Sequence, residues 1–427
     1  MNHQANLRTE ITAGITTFLT MSYVLLVVPS MLTKTGMPHD AVFTATCLTT
    51  IIGCLLIGLL ANYPIAIAPG LGLVGYFSYV VVLQMHFSWQ TALGAVFIAG
   101  IVFFLLTVLH IRRWIIEAIP KSLSIGTAAG IGLFIGIIAL KNAHIIVGNP
   151  ASLLQLGHLS SAPALLALLG FILVVILEYY RFPAAIISVI LLLSIIAILL
   201  GKAHFHGIFA LPPLPKETFF ALNFHDLLNI HGLIVIFTFL IVAFFDSTGT
   251  LIGVLHHTSL LQRQDAKKHL SCALTADSLA TIVAGLLGTT TTATYVESTA
   301  GIRAGGRTGL TAVTVGILFI FALFLSPLTK MIPDFASSPA LLYIACMMLK
   351  TMKDIPRKDI TEFIPAAITM IMIPLSFSIS NGIGLGFISY VFIKLCCGKA
   401  RQIKPMLYIL AIVFIIYFIS TSLHLTY

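Results

Sequence analysis

Charged side chains are scarce in this sequence, and long polar stretches are scarce as well. Only 9% of the 427 residues are charged, whereas 59% are hydrophobic and the mean hydropathy is +1.06. A soluble globular chain carries roughly 25% charged residues, so this composition excludes a large soluble domain. Strands of about ten residues with alternating polarity are also lacking, which excludes a β-barrel. The class that remains is an all-α, polytopic membrane protein.

Further absences restrict the chemistry. The net charge is +9, but no basic run with interleaved aromatic residues exists, so nucleic acid is not an expected partner. The six cysteines lack metal or disulfide spacing, and the histidines form only weak metal-ligand patterns. A membrane-embedded enzyme would need a nucleophile with its base, or metal ligands, inside the spans, and neither arrangement is present. No enzymatic activity, cofactor or metal is therefore expected.

Apolar runs that approach the length of a membrane span recur along the whole chain. A spanning helix needs about 20 such residues. The candidate segments are 11–32, 41–61, 65–82, 91–110, 122–140, 163–178, 183–200, 231–255, 270–287, 294–302, 308–329, 339–349, 362–380, 383–395 and 405–423. Some are short, so about 14 spans are expected, and whether 405–423 is a fifteenth span is left open.

Lys and Arg predict the orientation, because cytoplasmic loops carry an excess of both. With the N-terminus inside, 18 of these residues fall on the cytoplasmic side and 5 outside. The cytoplasmic set includes Arg112, Arg113 and Arg263. We therefore expect a multi-pass protein of a bacterial inner membrane with a cytoplasmic N-terminus.

The spans fall into two halves, 1–200 and 231–427, separated by an external loop at 201–230. An odd number of spans in each half gives the halves opposite orientations, as in inverted-repeat transporters. The third span opens with two prolines and several glycines, and the tenth with a run of threonines at 289–292. Both patterns disfavour a regular helix and predict a short extended stretch followed by a half-helix. Paired broken spans of this kind indicate a binding site at the centre of the membrane.

Two carboxylates lie at membrane depth beside these segments. Asp246 stands inside the apolar run 231–255, and Glu297 follows the threonine-rich stretch. An acid at that depth costs a few kcal/mol or more and generally marks a ligand site or a proton relay. Thr250 shares a helix face with Asp246, and Gly249 and Gly253 would admit a close neighbour. Asp277 is interpreted as structural. We expect Asp246 and Glu297 to form the centre of a transport site.

Four motifs resemble the AzgA-like purine permeases of the nucleobase–ascorbate transporter superfamily. They are residues 245–253 (FDSTGTLIG), 295–310 (YVESTAGIRAGGRTGL), 16–23 (TTFLTMSY) and 62–73 (NYPIAIAPGLGL). The resemblance runs nearly end to end.

The resemblance implies a seven-plus-seven inverted repeat with a core domain, approximately 11–110 plus 231–329, and a gate domain, approximately 121–200 plus 337–427. It also implies proton symport of hypoxanthine, guanine or adenine in a homodimer. The implied substrate-binding residues are Asp246, Glu297, Thr250, Phe245, Tyr295, Gly72, Leu73 and Val74. Glu297 and Asp246 are the candidates for proton coupling.

Two positions depart from the pattern of that family. Val28 and Val74 stand where the family usually has Asn. An amide can donate and accept hydrogen bonds at a base edge, whereas a valine side chain can do neither. The cargo could therefore be another nucleobase, a small heterocycle or an anion, although two acids argue against an anion.

Overall fold

Helices dominate the part of the chain that the structure, a computed structural model, describes: residues 6–109, 111, 119–149, 153–205, 207–256 and 266–424. Ten helical segments in this part are long and apolar enough to cross a bilayer. They are Leu7–Thr35, His39–Ala61, Trp89–Val108, Lys121–Asn142, Ala162–Tyr179, Ile230–Leu255, Lys268–Leu287, Gly309–Lys330, Asp334–Asp354 and Ile379–Cys396. Shorter apolar helices are Leu71–Val82, Ala185–Leu199, Ile360–Leu375 and Pro405–Ile419. Fourteen of the fifteen predicted segments overlap one of these helices, and the remaining segment, 294–302, overlaps the short helix Ser298–Arg303.

Helices and strands are numbered in chain order. The helices are α1 (Leu7–Met21), α2 (Val24–Leu32), α3 (His39–Leu56), α4 (Leu71–Gly75), α5 (Trp89–Val108), α6 (Lys121–Asn142), α7 (Ala162–Tyr179), α8 (Ala185–Leu199), α9 (Ile230–His256), α10 (Ala266–Leu287), α11 (Ser298–Arg303), α12 (Gly309–Ala322), α13 (Ser326–Lys330), α14 (Asp334–Leu349), α15 (Ile360–Leu375), α16 (Ile379–Cys396) and α17 (Pro405–His424). The strands are β1 (Ile67–Pro69), β2 (Ile146–Asn149), β3 (Leu153–Leu156) and β4 (Thr292–Thr294). The predicted cytoplasmic residues Arg112, Arg113 and Arg263 lie outside the described residues.

The third and tenth spans are broken as predicted. β1 precedes the short helix α4, and β4 precedes the short helix α11. The two strands pair antiparallel, with Ile67 opposite Thr294 and Pro69 opposite Thr292. Both strands are buried, so their backbone groups need partners that lipid cannot supply. The ribbon therefore supplies within the protein the hydrogen bonds that a continuous helix would have made.

The first span is also interrupted, which the sequence did not predict. α1 ends at Met21 and α2 begins at Val24, where the sequence suggested one run over 11–32. The Ser22 and Thr20 hydroxyls donate to the carbonyls of Leu19 and Thr16 in the last turn of α1. Such side-chain bonds compete with the helical pattern and often bend a helix. The interruption places Tyr23 at the junction of the two helices.

The helices pack in two groups. In the first group α1, α3, α5, α9, α10 and α12 are joined by helix pairs such as α5 with α10 and α1 with α12. In the second, α6 packs against α14 and α15, and α14 packs against α7 and α8. The loop 201–230 lies across the first group, because the Thr44 hydroxyl donates to the Pro213 carbonyl and the Thr218 hydroxyl to the Leu287 carbonyl.

Candidate functional site

The two broken spans and α9 meet at Asp246. A methyl group placed on Gly70, just before α4, would lie 3.2 Å from Asp246 Oδ2 and 3.2 Å from the Ala293 Cβ of β4. The Thr294 hydroxyl donates to the Ser247 carbonyl of α9 at 2.9 Å. Gly70 thus permits a close approach of the third span to the carboxylate. The structure brings Asp246 to the end of the β1–β4 ribbon, where the sequence predicted a site.

Glu297 lies on the other broken span, immediately before α11. Its Oε1 accepts a hydrogen bond of 2.5 Å from the Tyr23 hydroxyl, at the junction of α1 and α2. The next residue, Ser298, accepts through its Oγ from the backbone N–H of Ala66, at 3.0 Å, ahead of β1. Glu297 is half-buried, as is Asp246. The first, third and tenth spans therefore fix the position of this carboxylate.

Two aromatic residues predicted to bind substrate already make contacts within the protein. The Tyr295 hydroxyl donates to the Pro69 carbonyl at 2.5 Å and so ties β4 to the end of β1. The Phe245 ring lies 5.9 Å from the Phe387 ring of α16. Both side chains are buried. Each keeps a ring available for packing, but the Tyr295 hydroxyl is committed to a backbone carbonyl.

Gly72, Leu73 and Val74 are buried in α4. A methyl group on Gly72 would lie 2.6 Å from the Ile131 Cγ2 of α6. The close approach of α4 to α6 therefore depends on the missing side chain of Gly72. Val74 and Val28 are fully buried in one hydrophobic cluster. Thr250 is half-buried one turn beyond Asp246. The structure therefore places Gly72 close to α6, and it places Leu73 and Val74 in the buried interior.

The structure also shows the surroundings of Asp277, Gly249 and Gly253, about which the sequence made predictions. The Asp277 carbonyl and carboxylate accept from the Thr292 hydroxyl, at 3.2 and 3.5 Å, so Asp277 lies against the start of β4. An alanine at Gly249 would lie 3.6 Å from the Ser124 Oγ of α6, which agrees with a close neighbour there. At Gly253, by contrast, no atom of the described residues lies within 4 Å of an added methyl group. Within the described ranges, no group of three His, Cys, Asp or Glu is arranged to hold a metal ion.

Two important residues were not identified from the sequence. Tyr23 was noted only as part of a motif, although the hydroxyl-rich run before it signals an irregular helix. Glu10 is buried and accepts from the backbone N–H groups of Arg307 and Thr308 and from the Thr311 hydroxyl. The sequence signal that could have identified Glu10 is the position of an acid at the start of an apolar span. Glu10 fastens α1 to the N-terminus of α12, where a negative charge is favourable.

A second polar cluster lies away from these acids, at the ends of α6, α15 and α16. Glu362 accepts from the amine of the buried Lys394 at 2.5 Å, from the Tyr390 hydroxyl at 2.9 Å and from the Ser122 hydroxyl. The same residues line a cavity of about 540 Å³. The Lys394 amine also donates to Gln402. Its charge is therefore matched inside the cluster, which ties three helices together.

A multi-pass helical membrane protein whose two broken spans meet beside carboxylates at membrane depth falls in the class of membrane transport proteins. The chain belongs to the Permease family, whose sequence model matches residues 8–385.

Similar proteins of known name agree with this assignment. The chain is 41% identical over 422 residues to the adenine permease AdeP of Escherichia coli (strain K12), covering 99% of this chain and 95% of that protein. It is 41% identical to the guanine/hypoxanthine permease PbuO of Bacillus subtilis (strain 168), covering 97% of each. It is 32% identical to the nucleobase transporter PlAzg2 of Paenibacillus larvae subsp. larvae, covering 90% of this chain and 76% of that protein. The resemblance to purine permeases is confirmed.

Solved structures share the fold at low sequence identity. The transmembrane domain of the cyanobacterial bicarbonate transporter BicA superimposes with a TM-score of 0.65 at 16% identity, covering 90% of this chain and 98% of that domain. SLC26A9 superimposes with a TM-score of 0.64 at 13% identity, covering 91% of this chain and 66% of that protein. These similarities support the arrangement of the helices only.

Proposed function

We propose that this protein imports a purine nucleobase, namely adenine, guanine or hypoxanthine, by proton symport with alternating access. The observation that carries the proposal is the placement of Asp246 and Glu297 where the two broken spans meet. The names of the relatives AdeP and PbuO supply the substrate class. Transport of a base, rather than catalysis, is the activity that this arrangement supports.

The two carboxylates suit the edge of a purine. An ionised carboxylate accepts hydrogen bonds from ring or exocyclic N–H groups, and a protonated one can also donate to a ring nitrogen. Asp246 and Glu297 therefore bind the base, and one of them takes up the transported proton. Thr250, Phe245, Tyr295, Gly72, Leu73 and Val74 complete the proposed shell. Phe245 and Tyr295 contribute ring surface, because the Tyr295 hydroxyl is bonded to the Pro69 carbonyl.

Alternating access requires two bodies that move against each other. We assign residues 11–110 and 231–329 to the core and 121–200 and 337–427 to the gate, within a seven-plus-seven inverted repeat of 14 spans. The two packing groups of helices support this division. The contacts of Gly72 with Ile131 and of Gly249 with Ser124 then lie between core and gate. Movement across these contacts opens the site to one side or the other.

The location and assembly of the protein belong to the same proposal. The N-terminus is placed in the cytoplasm of a bacterial cell, with the protein in the inner membrane, because this orientation puts most Lys and Arg inside. We further propose a homodimer, which the family resemblance implies. Large apolar side chains on α7, including Leu165, Leu169, Ile172 and Ile176, are exposed. They fit contact with lipid or with a second copy of the chain.

Val28 and Val74 favour a second candidate cargo within the same fold. Both are fully buried and apolar. Where an Asn would bond a base edge, the loss of that partner is worth about 1–3 kcal/mol, which is enough to change the preferred base. Another nucleobase or a small heterocycle is therefore the alternative. An anion is disfavoured because two carboxylates stand at the site.

Uptake into proteoliposomes tests the function. Radiolabelled adenine, guanine, hypoxanthine and uracil are supplied outside vesicles holding the purified protein, with and without an inward proton gradient. We expect gradient-driven uptake of at least one purine and its loss in Asp246→Asn and Glu297→Gln. Asp40→Asn is the matched control, because Asp40 is a half-buried acid that is paired with Lys330. It should retain uptake.

The outcomes separate the alternatives. Uptake of uracil without any purine would replace the purine assignment with the second candidate. Purine uptake that ignores the proton gradient would refute symport. If folded wild-type protein moves none of the four bases, the proposed function is wrong. Equal uptake by Asp246→Asn and Asp40→Asn would remove Asp246 from the site.

A further inference from the structure

Tyr23 and Glu297 are 274 positions apart, yet their side chains share a hydrogen bond of 2.5 Å. The Tyr23 side chain is only 1% exposed. Hydrogen bonds to an ionised group are stronger than those between neutral groups. A buried phenol that donates to a half-buried carboxylate is therefore a strong and specific interaction. It joins the first span to the tenth.

The packing around this pair fixes its geometry. α1 and α11 approach so closely that a methyl group on Gly301 would lie 2.1 Å from the Thr17 Oγ1 and 2.6 Å from the Ala13 carbonyl oxygen. A glycine is therefore required at 301, and the two helices are held in one register. Tyr23 follows Thr17 by six residues, and the same register of the two helices places it beside Glu297. Because α1 ends at Met21 and α2 begins at Val24, Tyr23 lies between the two helices, and its side chain is not held to the direction that a continuous helix would give it.

A comparison with Tyr295 shows that the contact of Tyr23 is of a different kind. The Tyr295 hydroxyl donates to the backbone carbonyl of Pro69 and so serves the ribbon. The Tyr23 hydroxyl donates to the side chain of an acid that the proposed function uses. Holding Oε1 fixes the rotation of the carboxylate and hence the direction in which Oε2 accepts a hydrogen bond.

We propose that Tyr23 is a positioning residue that holds the Glu297 carboxylate in its ionised form and orients it toward the purine. This inference rests on the proposed function and deepens it. Asp246 receives no such phenol within the described residues, so the two acids are unequal. Glu297 is the fixed acceptor for a substrate N–H group, and Asp246 is the carboxylate left to exchange a proton.

Other titratable groups surround Glu297 and must be considered in any pH effect. Tyr295 lies on its own segment, Asp246 on α9, Glu178 on α7 and Tyr343 on α14. Tyr23 differs from these four groups because its hydroxyl donates a hydrogen bond to the Glu297 side chain. Removing that donor leaves the acids around Glu297 in place. Without that donor, the pH dependence of substrate binding should move toward higher pH only.

The test compares Tyr23→Phe with Tyr76→Phe in proteoliposome uptake between pH 5 and 8. Tyr76 is an equally buried phenol on the third span, where its ring packs at 5.1 Å against Phe239. For Tyr23→Phe we expect the KM for the purine to rise about tenfold or more. The acid limb of the profile should move to higher pH by about one unit, because the ionised carboxylate has lost its donor. Tyr76→Phe should leave both quantities near the wild-type values.

A second variant keeps the proposal testable if Tyr23→Phe does not fold. With 3-fluorotyrosine at position 23, the shape is nearly retained and the hydroxyl is a stronger donor, so the acid limb should move to lower pH. An unchanged profile with 3-fluorotyrosine, or a Tyr23→Phe that matches Tyr76→Phe, would overturn the positioning role while wild-type uptake is normal. Absence of uptake by folded wild-type protein would instead refute the proposed function itself.

Discussion

Gly72→Ala should slow transport by crowding the contact between α4 and α6. In the structure, the added methyl group would lie 2.6 Å from the Ile131 Cγ2. Carbon atoms in good contact are about 3.5–4.0 Å apart, so one of the groups must move by roughly 1 Å. Ile131 is 2% exposed, and its Cγ2 is fixed to a branched carbon, so little freedom exists. Overpacking of this kind costs about 1–3 kcal/mol.

That cost has a kinetic consequence if α4 and α6 belong to two bodies that move during transport. A bias of about 1–3 kcal/mol against one conformation changes its population about 5- to 150-fold. Because every transport cycle passes through both conformations, the maximal rate of purine uptake in proteoliposomes should fall by a factor in this range. Removing the opposing methyl groups in Gly72→Ala/Ile131→Ala should restore the rate to that of Ile131→Ala alone.

Gly253→Ala is the matched control, because no atom of the described part of the chain lies within 4 Å of a methyl group there. It should transport at the wild-type rate. The reasoning would be refuted if Gly72→Ala and Gly253→Ala transported equally well. It would also be refuted if the double variant were no faster than Gly72→Ala, because the contact with Ile131 would then not be the cause.

Two further predictions concern stability. Glu10→Ala leaves the Arg307 and Thr308 N–H groups and the Thr311 hydroxyl without their acceptor, so it should destabilise the fold by about 1–3 kcal/mol for each donor that stays buried without a partner. Thermal unfolding in detergent measures this, with the exposed Glu217→Ala as control, and equal unfolding temperatures would contradict it. The second involves Asp359, a half-buried residue ahead of α15, where hydrogen bonds from Thr361 and from Lys399 lower the pKa of the carboxyl to about 2. Because that pKa lies below the usual value of about 3.9, the stabilisation is present above pH 4 and is lost as the pH falls toward 2. The difference in unfolding temperature between wild type and Asp359→Asn should therefore shrink over this window, and a constant difference would show that the ionised carboxylate is not responsible.

Much of the architecture follows from the sequence because it depends on local properties. The cost of leaving a polar backbone in lipid makes every long apolar run a helix. Pro64, Pro69 and the threonines at 289–292 disfavour a helix wherever they occur, so the extended stretches of the third and tenth spans were predicted and are present. The same reasoning singled out Asp246 and Glu297, since an acid at membrane depth is costly in any fold.

The contacts of the candidate site depended on the tertiary structure. Nothing near Tyr23 in the sequence indicates that its hydroxyl meets Glu297, and nothing near Tyr295 indicates that its hydroxyl is taken by the Pro69 carbonyl. Phe245 packs on Phe387 and Gly72 lies close to Ile131, and the motifs that contain Phe245 and Gly72 indicate neither neighbour. The physical reason is that burial cost and backbone preference belong to single residues and their neighbours. A hydrogen bond or a close packing contact belongs to a pair, and only the folded chain decides which distant residues become that pair.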